Sequence, residues 1–171
     1  MNRLYILPLA LLLLSIAAAC RDESNAPTAT PTDGPSSETP TPAPVPGLFI
    51  VDPATGQGTS ATPGTRCWAD TCIDYIGLVT GDKPVGFNAG AALAWQAEGG
   101  TVDAISHAWV PVADAESEIT SNGTRLWRML SADFAEGDIT VPAQPGTYVL
   151  LVFTTYTNGG DVSWGVYITV A

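Results

Sequence analysis

From Val162 onward apolar and polar positions alternate without a break: Val162, Trp164, Val166, Ile168 and Val170 fall on one parity and Ser163, Gly165, Tyr167 and Thr169 on the other. A period of two predicts a strand with one buried face. Residues 147–156 are a second β-rich run that would pair with it. A two-residue loop within Asn158-Gly159-Gly160 would set Val149, Leu151 and Phe153 beside the buried set. The opposite face would then carry Tyr148, Leu150, Val152 and Tyr156, which is too apolar to be left wholly to water. Shorter β-rich runs precede this hairpin, separated by clusters of Gly, Pro, Asn and Asp: residues 48–51, 66–69, 73–79, a run ending at 92–96, and 101–110. Residues 116–121 and 124–130 form a further pair, and Asn122-Gly123 between them suits a two-residue hairpin turn. Leu126, Met129, Leu130 and Phe134 also sit at helical spacing, which leaves a short helix as the alternative to that second strand.

The chain divides by composition into three parts. Residues 1–19 carry one charge, Arg3, then an apolar run that closes on Ala17-Ala18-Ala19, as in a secretory signal. The run is about fifteen residues, short of the ~20 that span a bilayer. Residues 20–47 hold Cys20 and a Pro/Thr/Ser-rich linker with no large aliphatic or aromatic side chain beyond valine. Such a stretch favours extended polyproline II, at about 3.1 Å per residue and a reach of roughly 80 Å. Residues 48–171 hold all of the Trp and Phe and suffice for one hydrophobic core.

Small residues followed directly by Cys20 resemble the lipobox of bacterial lipoproteins, although Ala17 stands where that motif usually has a larger aliphatic residue. The resemblance implies that Cys20 is lipidated and becomes the N-terminus. The protein would be held at a membrane through that lipid and face away from the cytoplasm, at the cell membrane or an outer membrane. Pro145-Gly146-Thr147-Tyr148 with the alternating aliphatics after it resembles the penultimate strand of immunoglobulin-like sandwiches of bacterial surface proteins. That likeness implies a tyrosine corner, with the Tyr148 hydroxyl bonded to nearby backbone. Residues 123–134 are similar to sandwich domains of the intracellular proteinase inhibitor type. The expected fold is all-β: a single antiparallel, immunoglobulin-like β-sandwich.

Net charge is −11, and residues 48–171 hold thirteen Asp and Glu against Arg66, Lys83, Arg125 and Arg128, so nucleic acid and anionic lipid are poor partners. With Cys20 lipidated, Cys67 and Cys72 form a pair in an oxidising compartment and are expected to bond. Closing so small a ring stabilises a fold by roughly 2 kcal/mol. A redox couple has two intervening residues rather than four, and zinc would need ligands beyond the single His107. No metal site, cofactor or catalytic set is therefore assigned. No Gly-x-Ser-x-Gly elbow, phosphate loop or dinucleotide fingerprint occurs, and His107, with Asp103 and Trp109 on its side of a strand, reads as structural. Asp70 with Asp74, or Asp133 with Glu136 and Asp138, are the carboxylates that could serve acid-base chemistry; none has the order of a known calcium loop.

Trp68 falls inside the expected disulfide ring, beside Asp70, while Trp95, Trp109, Trp127 and Trp164 fit a core. Exposed aromatics beside carboxylates suit stacking on sugars or anchoring a protein. The candidate binding residues are thus Trp68, Asp70, Asp74, Tyr75 and Tyr156. The expected activity is non-catalytic binding of a small ligand, glycan or protein partner. The alternatives are a carboxylate-dependent hydrolase and an inhibitor-like partner of an extracellular protease.

Overall fold

The computed structural model describes residues 44–113, 115–128 and 131–171; the signal segment, Cys20, most of the linker, and Met129 and Leu130 of the alternative helix lie outside the described residues. Every regular element among the described residues is a strand, as expected. The largest sheet runs in the order β11 (Ala135–Glu136), β8 (Val102–Pro111), β13 (Gly146–Tyr156), β14 (Asp161–Val170), β3 (Thr62–Trp68) and β4 (Thr71–Ile73). A four-stranded sheet has the order β12 (Ile139–Thr140), β7 (Ala92–Glu98), β1 (Gly47–Val51) and β2 (Gly58–Ser60). Between them lies the main core, in which Leu48, Ile50, Leu93 and Ile139 meet Leu150, Val152, Val162, Trp164, Val166 and Ile168. Two sheets burying one apolar layer make a β-sandwich. Val45 also packs against that core, so the packed domain reaches a little upstream of Leu48.

The central hairpin corrects the expected parity. Leu150 pairs with Val166 and Val152 with Trp164, so it is Leu150, Val152 and Tyr156 that share the main core with β14, and not Val149, Leu151 and Phe153. The cause is one residue in the loop. Tyr156 N–H donates to Gly160 O at 2.8 Å and Gly159 N–H to Tyr156 O at 2.9 Å, which leaves a three-residue loop with Gly159 at φ 86°. An odd loop shifts the register by one, and a one-residue shift turns every side chain to the other face. The hairpin of β9 (Glu116–Ile119) and β10 (Thr124–Arg128) repeats this loop. Thr120 N–H donates to Thr124 O, Gly123 N–H donates to Thr120 O, and Gly123 has φ 78°. Residues 124–128 are extended, which settles that part of the helix alternative in favour of a strand.

The second face of the central hairpin is also covered. The expected strand over 73–79 breaks after β4, and the chain re-enters as β5 (Leu78–Gly81), which pairs with β10 in a third sheet ordered β5, β10, β9. Leu78 and Trp127 of this sheet bury Val149, with Leu151 and Tyr167 against them. Gly165 makes the approach feasible, because a Cβ there would lie 2.1 Å from the Val79 carbonyl oxygen. The fold is therefore a sandwich with a small third layer, and it contains one parallel pairing, between β6 (Val85–Phe87) and β14.

Two buried tryptophans anchor the layers in the same way. Trp164 Nε1–H donates to Thr154 Oγ1 at 2.8 Å, and Thr154 in turn donates to Val162 O. Trp127 Nε1–H donates to Thr80 Oγ1 at 3.1 Å, and Thr80 donates to Gly81 O. Each threonine is fully buried and satisfies an indole that would otherwise lose its water. Arg125, on the middle strand of the third sheet, lies over the Trp127 and Tyr167 rings at 5.4 and 5.5 Å, a cation–π stack.

Candidate functional site

A concave surface lies where the third layer meets β3 and the loop after β4. Opposite β14, Arg66 pairs with Val162 and Pro63 with Trp164, so Gly64 and Thr65 face Ser163 alone. That is a β-bulge, and it re-aims the strand locally. Ser163 Oγ–H donates to Thr65 O at 2.9 Å, and Thr65 Oγ1 accepts the Tyr75 N–H at 3.1 Å while donating to Asp74 Oδ1 at 3.1 Å. One hydroxyl thus ties the loop of residues 74–77 to β3. The Cys67–Cys72 disulfide joins directly opposed residues of β3 and β4 just before that loop. Gly77 closes it at φ 120°, where a Cβ would strike the Trp127 carbonyl oxygen at 2.1 Å. A loop held at both ends presents Tyr75, 41% exposed, and Ile76, 91% exposed, to solvent.

Below the loop runs a groove made of two adjoining cavities of about 520 Å³ each, which share Tyr75 and Leu126. One half has Pro63, Val79 and Leu126 as its apolar floor, with Thr62, Arg66 and Asn122 around it. The other half adds Asp74, Ile76 and Arg128. These volumes are in the range of small-molecule sites. Arg128 is ion-paired with Glu118 at 2.8 Å, whereas Arg66 donates through Nη1 to Gly64 O at 3.1 Å and has no carboxylate partner among the described residues. At the rim, Asn122 Oδ1 accepts from the Thr120 and Thr124 hydroxyls, which occupies the oxygen of its amide and not the two Nδ2 donors.

The structure separates the five candidate binding residues. Asp74 and Tyr75 line the groove. Asp70 sits exposed on the tight turn between β3 and β4, next to Ala69 at φ 51°. Trp68 and Tyr156 are buried, which corrects the expectation of an exposed ring at Trp68: it is 6% exposed and packs edge-on against Tyr156 with ring centroids 5.0 Å apart. The space comes from Gly160, where a Cβ would lie 2.4 Å from the Trp68 ring, so the indole turns inward over the end of the sandwich. Both rings carry a polar atom without a hydrogen-bond partner, Trp68 Nε1 and Tyr156 Oη. Burial raises the pKa of the Tyr156 hydroxyl above its ordinary value, and the Thr154 hydroxyl nearby offsets part of that rise without meeting hydrogen-bond geometry.

Trp95 departs from the expected core set and is partly exposed on β7. His107 is buried on β8, and burial holds its imidazole below the ordinary histidine value. Among the described residues, no three His, Cys, Asp or Glu side chains gather as a metal site would require. Sequence reading missed Arg66, Ile76, Asn122 and Leu126. The one available signal was that Arg66 and Arg128 are rare cations in an acidic chain. Compared with known protein families, with curated proteins and with solved structures, the chain matches none.

Proposed function

We propose that this protein is an exported, lipid-anchored binding module: a non-catalytic sandwich of the immunoglobulin-like kind, carried on a lipidated Cys20 and a proline-rich spacer, that recognises its ligand in the Tyr75–Leu126 groove. The observation that carries the binding reading is the groove beneath a loop fastened at both ends. A fastened loop has little entropy left to lose when it engages a ligand. For the immunoglobulin-like reading, the support is the Tyr148 hydroxyl, which donates to Gln144 O at 3.1 Å, four residues upstream, as in a tyrosine corner.

Glycan and peptide arrays probed with the full-length protein test the binding reading. Tyr75→Ala is expected to abolish retention on whatever the wild type binds while leaving the melting temperature unchanged. Retention equal to wild type would remove the groove from consideration. A second reading, an inhibitor-like partner of an extracellular protease, draws on the protruding Ile76. It predicts that Ile76→Asp ends inhibition in a panel of secreted proteases.

A further inference from the structure

We infer that the Arg66 half of the groove takes the single carboxylate of a short acidic saccharide; this rests on the groove being the binding surface. Of the four basic side chains in a domain with thirteen acidic ones, only Arg128 has a carboxylate partner among the described residues, and Arg66 is the unpaired arginine that lines the groove. Arg66 spends one Nη1–H on the Gly64 carbonyl, and the rest of its planar fork is available at the groove wall. Such a fork matches a carboxylate through paired, charge-assisted hydrogen bonds.

The surroundings argue for a sugar behind that carboxylate. Asn122 Nδ2 and the hydroxyls of Thr62, Ser121 and Tyr75 stand around an apolar floor. A pyranose offers hydroxyls to the first set and a C–H face to the floor and to the exposed Tyr75 ring. Charge limits the ligand's length and composition. The other half of the groove holds Asp74 and Arg128, whose charge is already paired with Glu118, so a second carboxylate there would meet the like charge of Asp74. A net charge of −11 also repels a polyanion before it arrives. One acidic sugar at the Arg66 end, followed by neutral units toward Ile76, satisfies both halves.

Titration of the full-length protein by calorimetry and by amide chemical shifts tests this, with three probes: a uronic acid linked to a neutral sugar, the same disaccharide with its carboxyl reduced to the alcohol, and a tripeptide with a free C-terminal carboxylate. The acidic disaccharide is expected to bind about tenfold or more tightly than its reduced form, the worth of a hydrogen-bonded charge pair, and to shift the Tyr75 and Leu126 amides. Arg66→Gln should abolish that preference and Arg66→Lys should keep part of it. If Arg66→Gln melts well below wild type, the lysine variant carries the test. Equal affinity for acid and alcohol, an unchanged preference in the variants, or binding of the tripeptide alone would overturn the acidic-sugar inference, while the groove reading survives if the Tyr75 amide still moves. Array ligands whose retention withstands Tyr75→Ala, with no probe moving the Tyr75 and Leu126 amides, would overturn both.

Discussion

Removing one oxygen from strand β13 should have opposite effects at its two ends. Tyr156 is 3% exposed and its hydroxyl has no hydrogen-bond partner, while the neighbouring Thr154 Oγ1 donates to Val162 O and accepts from Trp164 Nε1–H. A buried polar group left unsatisfied costs about 1–3 kcal/mol. Tyr156→Phe relieves that cost, and the void left by one oxygen takes back only a few tenths at about 24 cal/mol per Å³. The expected outcome is a gain of about 1 kcal/mol, or roughly 3–5 °C in melting temperature for a domain of this size. Tyr148→Phe, which deletes the bond to Gln144 O, should instead lose about 1 kcal/mol.

Urea denaturation followed by tryptophan fluorescence at neutral pH reads both variants, and an alkaline series adds an independent sign. Because burial raises the Tyr156 pKa, the unfolded chain releases its proton first once pH passes the ordinary tyrosine value of 10.0. Wild-type stability should therefore be intact below that value and fall as pH rises above it, with Tyr156→Phe falling less. A destabilised Tyr156→Phe protein would show that the hydroxyl has a partner and that the end of the sandwich is built differently.

Trp68→Ala should cost about 3–5 kcal/mol, as expected for a large ring removed from the core; near-wild-type denaturation would return Trp68 to the surface. His107 has a lowered pKa, so below the ordinary value of 6.5 the unfolded chain takes up a proton that the buried ring refuses, and stability should drop as pH falls from there toward the folded value. His107→Asn should flatten that part of a pH–stability curve, and an unchanged slope would assign the loss to carboxylates. Cys20→Ser should release the protein from membranes in cell fractionation, and sedimentation of the variant with membranes after a salt wash would refute lipid anchoring.

The all-β class, the central hairpin and the core positions of Trp127 and Trp164 were legible because period-two alternation and residue size act locally, and the Cys67–Cys72 bond because two cysteines remain once Cys20 is set aside. The parity of the central hairpin was not. Asn-Gly suits a two-residue turn and equally a three-residue loop with glycine in the left-handed region, and only the competition between the faces for burial decides. The third sheet was hidden for a related reason: Gly165 reads as one more position on the polar parity, yet its missing side chain is what admits β5. The groove draws on residues 62–66, 74–79 and 120–128, whose proximity depends on a bulge in β3 that no local pattern announces.

Strand β14 pairs with β13, β3 and β6 and is crossed by β5, and it follows all of them in the chain. During synthesis, then, no part of the largest sheet can reach its final pairing around this strand until residues 161–170 exist. Contacts that must wait for distant sequence make folding slow and leave the nascent polypeptide open in the meantime. Under the export proposed for this protein, that delay would keep the chain transportable until its keystone strand is made.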